Sequence, residues 1–263
     1  MLKFMSMCPL ALMLFIATAT GRVHATEFDV LLFTKTAGWH HKSQHKAVEA
    51  IQNLAKKHFF SVEWHEDANI FNSKDLARFD AVIFLSTTGD VLNGRQQQQL
   101  TDFIRAGNGF VGIHSASDTE KSWPWYQQLV GHTFVIHPPV QTAQIRILDA
   151  DFPGMHGFTD GQIWTDEWYE FSPPHVSDLN YLITVDESTY NTKADWGNVT
   201  GNGMGAFHPI AWYHYFEGGR SFYTSLGHMS GTYQIEAFQW HMAGGIYWAA
   251  TGKGIREENQ FRN

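Results

Sequence analysis

The sequence has almost no cysteine. Cys8 is the only one among 263 residues, and it falls within the first 25 residues of the chain. Without that N-terminal segment the chain has no thiol, and this excludes disulfides, thiolate metal ligands and a cysteine nucleophile together.

Basic charge and long apolar runs are also scarce. The 18 Lys and Arg residues are outnumbered by 26 Asp and Glu, for a formal charge of −8, and no basic stripe interrupts the sequence. Nucleic acid is therefore not an expected partner. The apolar stretch from Met5 to Ala19 is shorter than the roughly 20 residues that span a bilayer, so we predict no stable membrane insertion of the mature chain.

The N-terminus instead has the features of a signal peptide. A positive start with Lys3 precedes the apolar stretch, and Val23-His24-Ala25 places small residues where a signal peptidase cleaves. We predict a signal peptide over residues 1–25 and a secreted or periplasmic mature protein.

The rest of the chain alternates apolar runs with amphipathic segments. This alternation predicts an α/β fold of three layers, in which helices cover both faces of a mainly parallel sheet. We expect one domain over residues 26–252, followed by a polar tail over residues 253–263. The expected strands are 28–33, 60–64, 81–85, 109–113, 141–147, 180–185, 210–215 and 219–224, and the expected helices start near Ser43, Asn93 and Tyr233.

Polar residues follow three of these strands, over residues 34–43, 86–90 and 114–118. In parallel α/β sheets the functional site lies at the carboxyl ends of the strands. We therefore expect these three segments to converge on one site.

The segment from Gly112 to Ala116 has the pattern of a nucleophile elbow, with small residues on both sides of its tip. Its tip is His114, and a histidine there can act as a general base, a metal ligand or a hydrogen-bond donor. Two alternatives stay open from the pattern alone: Ser115 as a nucleophile, or His114 as a structural part of the turn.

Several longer stretches together resemble the ThuA-like, or trehalose utilisation, family over about residues 27–252. The resemblance implies a fold like that of class I glutamine amidotransferases or flavodoxins. It also implies a role in carbohydrate metabolism, in bacteria often beside dehydrogenases that make 3-keto sugars. The stretches are VLLFTKTAGWHHKS, GNGFVGIHSASDT, GHTFVIHP, WTDEWYEF, PIAWYHYFEGGRSFYTSLGH and GGIYWAATG.

The sequence departs from the amidotransferase pattern at two positions. His114 occupies the place of the catalytic cysteine, and the late histidine, His228, is followed two positions later by Ser230 instead of an acid. Glutamine hydrolysis therefore has neither its nucleophile nor its acidic partner, and a glutaminase is not expected.

The polar and aromatic residues of the matching stretches form the predicted site. Which of His40 and His41 faces the cleft stays open. The predicted catalytic residues are His114, Glu167 and His228, and the predicted substrate-binding residues are Trp39, His40, His41, Ser115, His137, Asp166, Trp168 and Arg220.

These residues suit acid–base chemistry on a small carbohydrate, either a disaccharide or a glycoside and including its 3-keto form. A hydrolase, a lyase and an isomerase all fit, and a non-catalytic sugar-binding module is the alternative. No cofactor is expected, because the sequence has neither an HExxH motif nor a histidine pair spaced for a metal on one helix. A divalent ion held by three histidines and a carboxylate is the alternative. The sequence does not predict an oligomeric state.

Overall fold

The computed structural model describes residues 26–255. The predicted signal peptide, residues 1–25, and the end of the polar tail, residues 256–263, lie outside the described residues.

A nine-stranded sheet forms the centre of the fold, in the order β2-β1-β3-β4-β13-β12-β9-β6-β7, and two short two-stranded sheets accompany it. The strands are β1 (Asp29–Phe33), β2 (Ser61–His65), β3 (Ala81–Leu85), β4 (Gly109–Ile113), β5 (Phe134–Ile136), β6 (Gln141–Ile147), β7 (Ile163–Asp166), β8 (Glu170–Phe171), β9 (Asn180–Asp186), β10 (Ala194–Asp195), β11 (Thr200–Gly201), β12 (Pro209–Phe216) and β13 (Gly219–Thr224). The α-helices are α1 (Gln44–Lys57), α2 (Ser73–Leu76), α3 (Gly94–Arg105), α4 (Pro124–Val130) and α5 (Glu236–Thr251).

The sheet is mixed. Strands β2, β1, β3, β4 and β13 run parallel to one another, and β12, β9, β6 and β7 continue the sheet with antiparallel pairings. Strands β3 and β4 are buried along their whole length, as their uninterrupted apolar sequences predict. The α/β class and a mostly parallel central sheet are confirmed. Five of the nine strands are parallel, and the four antiparallel strands at one side were not predicted as such.

Helices cover both faces of the sheet, as predicted. The core on one face includes Ile51 of α1 and Met242 of α5. The core on the other face includes Leu76 of α2, Leu100 of α3 and Leu129 of α4. None of the helices in residues 26–255 is both long and apolar enough to cross a membrane.

Two helix ends follow directly from the sequence. Asn93 begins α3 with a capping box, in which its side chain accepts from the Gln96 amide and the Gln96 side chain accepts from the Asn93 amide. Gly252 ends α5 in the left-handed conformation, with φ 71°. Ser43 precedes α1 but does not cap it. Its hydroxyl donates instead to the carbonyl of Gly227, on the loop after β13.

One buried histidine gives a stability prediction. His241 of α5 is fully buried among Phe158, Phe222 and Phe238, and neither ring nitrogen has a hydrogen-bond partner in the described part of the chain. Burial lowers its pKa to about 3. We expect His241→Leu to raise the free energy of unfolding at neutral pH by about 1 to 2 kcal/mol, because it removes buried polar atoms that lack partners.

The gain should grow in acid. Below the usual histidine pKa the unfolded chain binds a proton at residue 241 that the folded chain does not, so the wild type loses about 1.4 kcal/mol per pH unit relative to His241→Leu. Urea unfolding at neutral pH and near pH 5 measures the difference. The same change at the exposed His45 serves as the control and should not give this gain in stability. Parallel pH profiles for wild type and His241→Leu would contradict the prediction.

Candidate active site

The three polar segments that follow β1, β3 and β4 meet at the carboxyl edge of the sheet, as predicted. Isolated bridges join Thr36 to Thr88 and Gly89 to Thr119. The Thr88 hydroxyl also donates to the Trp39 carbonyl, at 2.8 Å, so the loop after β3 supports the loop after β1. The candidate site is built on this edge.

His114 directly follows β4 and is the first residue of a 3-10 helix over His114–Asp118. Its φ is 55°, so the chain makes a tight turn there. This left-handed conformation costs a non-glycine residue roughly 1 to 2 kcal/mol. The Tyr223 hydroxyl donates to the His114 carbonyl at 2.7 Å and secures the turn. A Cβ at Gly112 would lie 2.9 Å from the Tyr223 ring, so the elbow pattern reflects a real steric requirement for glycine there.

The His114 side chain is fully buried and both of its nitrogens are engaged. Nδ1 donates to the Ser225 carbonyl at 2.8 Å, and Nε2 lies 2.9 Å from the Tyr169 hydroxyl, which donates to it. Burial lowers the pKa of His114 well below its usual value. The imidazole is therefore neutral, with its proton on Nδ1 and its Nε2 lone pair directed toward Tyr169 and Glu167.

Glu167 is the centre of the site. It directly follows β7, and its Oε2 lies 3.0 Å from Nδ1 of His228, 3.5 Å from Nε2 of His137 and 3.6 Å from Nε2 of His114. All the ion-pair partners of Glu167 among the described residues are histidines. Neither Oε2 of Glu167 nor Nδ1 of His228 makes an aligned hydrogen bond there.

His41, and not His40, belongs to this cluster. Its Nδ1 lies 3.3 Å from the Ser115 hydroxyl, and its ring packs edge-on against His114 with centroids 4.6 Å apart. Burial lowers the pKa of His41 to about 4. His40 is exposed, and its ring lies 6.4 Å from that of His45.

Asp166 links the loop after β7 to the loop after β13. It is fully buried, and its carboxylate accepts hydrogen bonds from the backbone amides of Glu167, Gly227 and His228, at 2.9 to 3.0 Å. Burial raises its pKa to about 6, although the three amides favour the charged form. Both oxygens are thus committed to positioning Glu167 against His228.

Two histidines of the site reach solvent. The side chain of His228 is 29% exposed and that of His137 is 20% exposed. Burial disfavours the charged form of His228, but contact with Glu167 outweighs this and raises its pKa. Trp196 packs edge-on against His137, with centroids 5.0 Å apart, and is 50% exposed. Trp39 is 70% exposed, two residues from His41.

The structure does not bring two of the predicted residues to the cluster. Arg220 lies at the amino end of β13, at the opposite edge of the sheet, where its guanidinium donates to the carbonyls of Gly107, Ala249 and Ala250. Trp168 is fully buried and its indole donates to the Gln141 carbonyl, so its ring has no surface for a sugar.

Two residues that contact histidines of the candidate site were not predicted from the sequence. Tyr169, whose hydroxyl contacts His114, lies within the WTDEWYEF stretch but was not predicted as a site residue. Trp196 lies between the short strands β10 and β11, in a Gly- and Asn-rich segment that gave no signal for a site. In the described part of the chain, one group has metal-ligand geometry: His41, His114, Glu167 and His228, whose ligand atoms all lie within 4.8 Å of one another.

Comparison with solved structures identifies similar folds. A putative ThuA-like protein from Bacteroides uniformis has a TM-score of 0.70 at 18% identity, over 88% of this chain and 95% of that one. A putative ThuA-like protein from Parabacteroides merdae has a TM-score of 0.66 at 18% identity, over 88% and 92% of the two chains. A β-galactosidase from Bacillus circulans has a TM-score of 0.52 at 14% identity, over 89% of this chain but 32% of the enzyme. At these identities the likeness shows the fold alone.

Sequence comparison decides the family. No curated protein matches the chain. The family model ThuA, described as trehalose utilisation, matches residues 29–249, which is most of the chain and agrees with the resemblance of the sequence stretches. The chain belongs to the ThuA family.

Proposed function

We propose that this chain is an exported enzyme that acts on a carbohydrate by acid–base chemistry at the cluster around Glu167. The observation that carries the proposal is one carboxylate oxygen, Glu167 Oε2, within 3.6 Å of nitrogens from His114, His137 and His228. Such a set can accept a proton, hold it and return it within a single site.

Two observations support a carbohydrate substrate. The family is described by trehalose utilisation. The exposed ring of Trp196 packs against His137, and Trp39 is exposed two residues from His41. Flat aromatic rings pack well on the C–H faces of a sugar, while carboxylate and imidazole groups bind its hydroxyls. A disaccharide or glycoside, above all in its 3-keto form, is the proposed substrate class.

A keto sugar gives the cluster a reaction that needs no nucleophile. The carbonyl acidifies the neighbouring C–H bond. A base of the cluster removes that proton, the C–H electrons form a carbon–carbon double bond, and the glycosidic C–O bond breaks. A second group protonates the departing oxygen. Glu167 and His137, which reaches solvent, are placed for these two proton transfers, while the buried His114 positions Glu167.

Turnover of a keto sugar tests the proposed reaction. We expect the purified protein to convert 3-keto disaccharides and to leave the native disaccharides largely unchanged, because only the keto form has an acidic C–H bond. Product formation is followed by NMR. Ligand-induced shifts without turnover would contradict an enzyme and favour a sugar-binding module. Labelling by a fluorophosphonate would point to Ser115, which lies 3.3 Å from His41, and to a serine hydrolase.

Export is part of the same proposal and rests on the predicted signal peptide over residues 1–25. Mass spectrometry of the protein recovered from the cell envelope or medium should find an N-terminus near Thr26. A chain recovered from the cytoplasm with Met1 intact would contradict export without touching the reaction.

A further inference from the structure

The cluster around Glu167 leaves a buried negative charge and two buried polar atoms without full partners, and a bound cation would supply them. A buried carboxylate is costly unless it is paired, and the ion-pair partners of Glu167 in the described chain are histidines, with no lysine or arginine among them. Glu167 Oε2 and His228 Nδ1 are buried, and neither makes an aligned hydrogen bond within the described part of the chain. Both therefore have a lone pair or a proton position left for a further partner.

We propose that His41, His114, Glu167 and His228 bind one divalent first-row transition ion, with Zn²⁺ as the best match. The chain offers three imidazoles and a carboxylate, a donor set that such ions prefer, whereas Mg²⁺ and Ca²⁺ prefer oxygen ligands throughout. The site shares residues with the proposed function but does not rest on it, because ion binding needs no substrate.

The separations between the ligand atoms fit a single ion. Two ligands about 2.1 Å from a tetrahedral ion are about 3.4 Å apart, and two on opposite sides of an octahedral ion are about 4.2 Å apart. The distances from Glu167 Oε2 to His228 and His114 are 3.0 and 3.6 Å, and all four ligand atoms lie within 4.8 Å of one another. The groups need to contract only slightly to share an ion.

The surroundings orient the ligands as a metal site requires. Metal-binding histidines usually donate their other ring N–H to a carbonyl or to another polar group. His114 donates Nδ1–H to the Ser225 carbonyl, which leaves the Nε2 lone pair facing the cluster. His41 contacts the Ser115 hydroxyl through Nδ1, which leaves its other nitrogen for the ion. Asp166 fixes the backbone that carries Glu167 and His228.

Tyr169 would change partners when the ion binds. Its hydroxyl now donates to Nε2 of His114, which is the lone pair that the ion would take. The hydroxyl would then need another acceptor in place of that lone pair. His137 is outside the four ligands but next to Glu167, so it remains free to transfer protons beside the ion.

Isothermal titration of Zn²⁺ into tag-free, EDTA-stripped mature protein, which starts at Thr26, tests the proposal. We expect one ion per chain, and at least about 100-fold weaker binding in Glu167→Gln and in His41→Ala. His40→Ala changes the exposed neighbour of His41 and should bind as tightly as wild type. Tyr169→Phe removes the competing hydroxyl and should bind at least as tightly. Circular dichroism confirms that each variant is folded, and Glu167→Gln keeps the size of the side chain if His41→Ala does not fold.

Absence of stoichiometric binding to wild type, or equal affinity in wild type and Glu167→Gln, would overturn the site. Equal affinity would mean that ions bind to surface histidines. Co²⁺ provides a second readout, since ligation by this set gives visible absorption bands that Glu167→Gln should lose. Turnover that persists in EDTA without ion binding defeats the metal site alone, whereas ion binding without turnover defeats the proposed function alone.

Discussion

Replacing Glu167 by glutamine is expected to lower the turnover of a 3-keto disaccharide by about 1000-fold or more. Glutamine keeps the size of the side chain but has neither the negative charge nor the basic oxygen that His114, His137 and His228 contact. General acid–base catalysis contributes about 10² to 10⁴-fold. The same substitution removes an anionic ligand from the proposed ion site, so both routes lead to a large loss of kcat.

The control is the same chemical change at a carboxylate outside the site. Glu63 of β2 pairs with Arg78 on the surface, and Glu63→Gln should keep wild-type turnover. Thermal unfolding should show both variants folded. Wild-type kcat in Glu167→Gln would remove the central residue from the mechanism.

His137→Ala separates the roles within the cluster. His137 reaches solvent and is not among the four proposed ligands, so its loss should lower kcat by about 100-fold while zinc binding persists. Steady-state kinetics and zinc titration on the same preparation measure the two effects. A parallel loss of zinc affinity and kcat would show that His137 acts by holding the cluster together and not by proton transfer.

The sequence predicts the parallel half of the fold well because each of its strands carries a local signature. The runs AVIFL of β3 and GFVGI of β4 are apolar throughout, and each is followed by a polar turn. The antiparallel half is different. Strand β6 alternates, which predicts a strand with one solvated face, but nothing in that pattern specifies β9 and β7 as its neighbours.

For the site too, the sequence predicts what a local pattern encodes and not what only the fold brings together. His114 was predicted because its elbow pattern is local. The proposed metal set gave no spacing signal, because His41, His114, Glu167 and His228 come from four separate loops that only the fold brings together. His40 is exposed, whereas its neighbour His41 is buried against His114, and the choice between them needed the structure.

Arg220 is a different case, since the sequence contained the information that excludes it. It is the second residue of β13, a strand predicted over residues 219–224, and the site was expected at the carboxyl ends of the strands. A residue at the amino end lies about 15 Å away along a strand of this length. Closeness to His228 in sequence was a weaker guide than strand direction.

A large loss of stability is expected where α5 packs against the loop at residues 153–154. Gly244 of α5 packs directly against the loop at Pro153 and Gly154, where an added Cβ would overlap the Pro153 carbonyl and lie 2.5 Å from the Gly154 amide nitrogen. Alanine normally favours a helix over glycine by about 1 kcal/mol. Here the contact is backbone against backbone, with no flexible side chain to move aside. Gly244→Ala should therefore lower the free energy of unfolding by about 3 kcal/mol or more.

Gly94 provides the matched control, because it is also a helical glycine, but no atom of residues 26–255 lies within 4 Å of an added Cβ there. Gly94→Ala should be neutral or stabilise the protein by up to about 1 kcal/mol. Urea unfolding of the two variants beside wild type gives the comparison. A loss below about 1 kcal/mol in Gly244→Ala would mean that the loop over residues 153–154 yields to α5. The close contact would then be a consequence of the glycine and not a requirement for it.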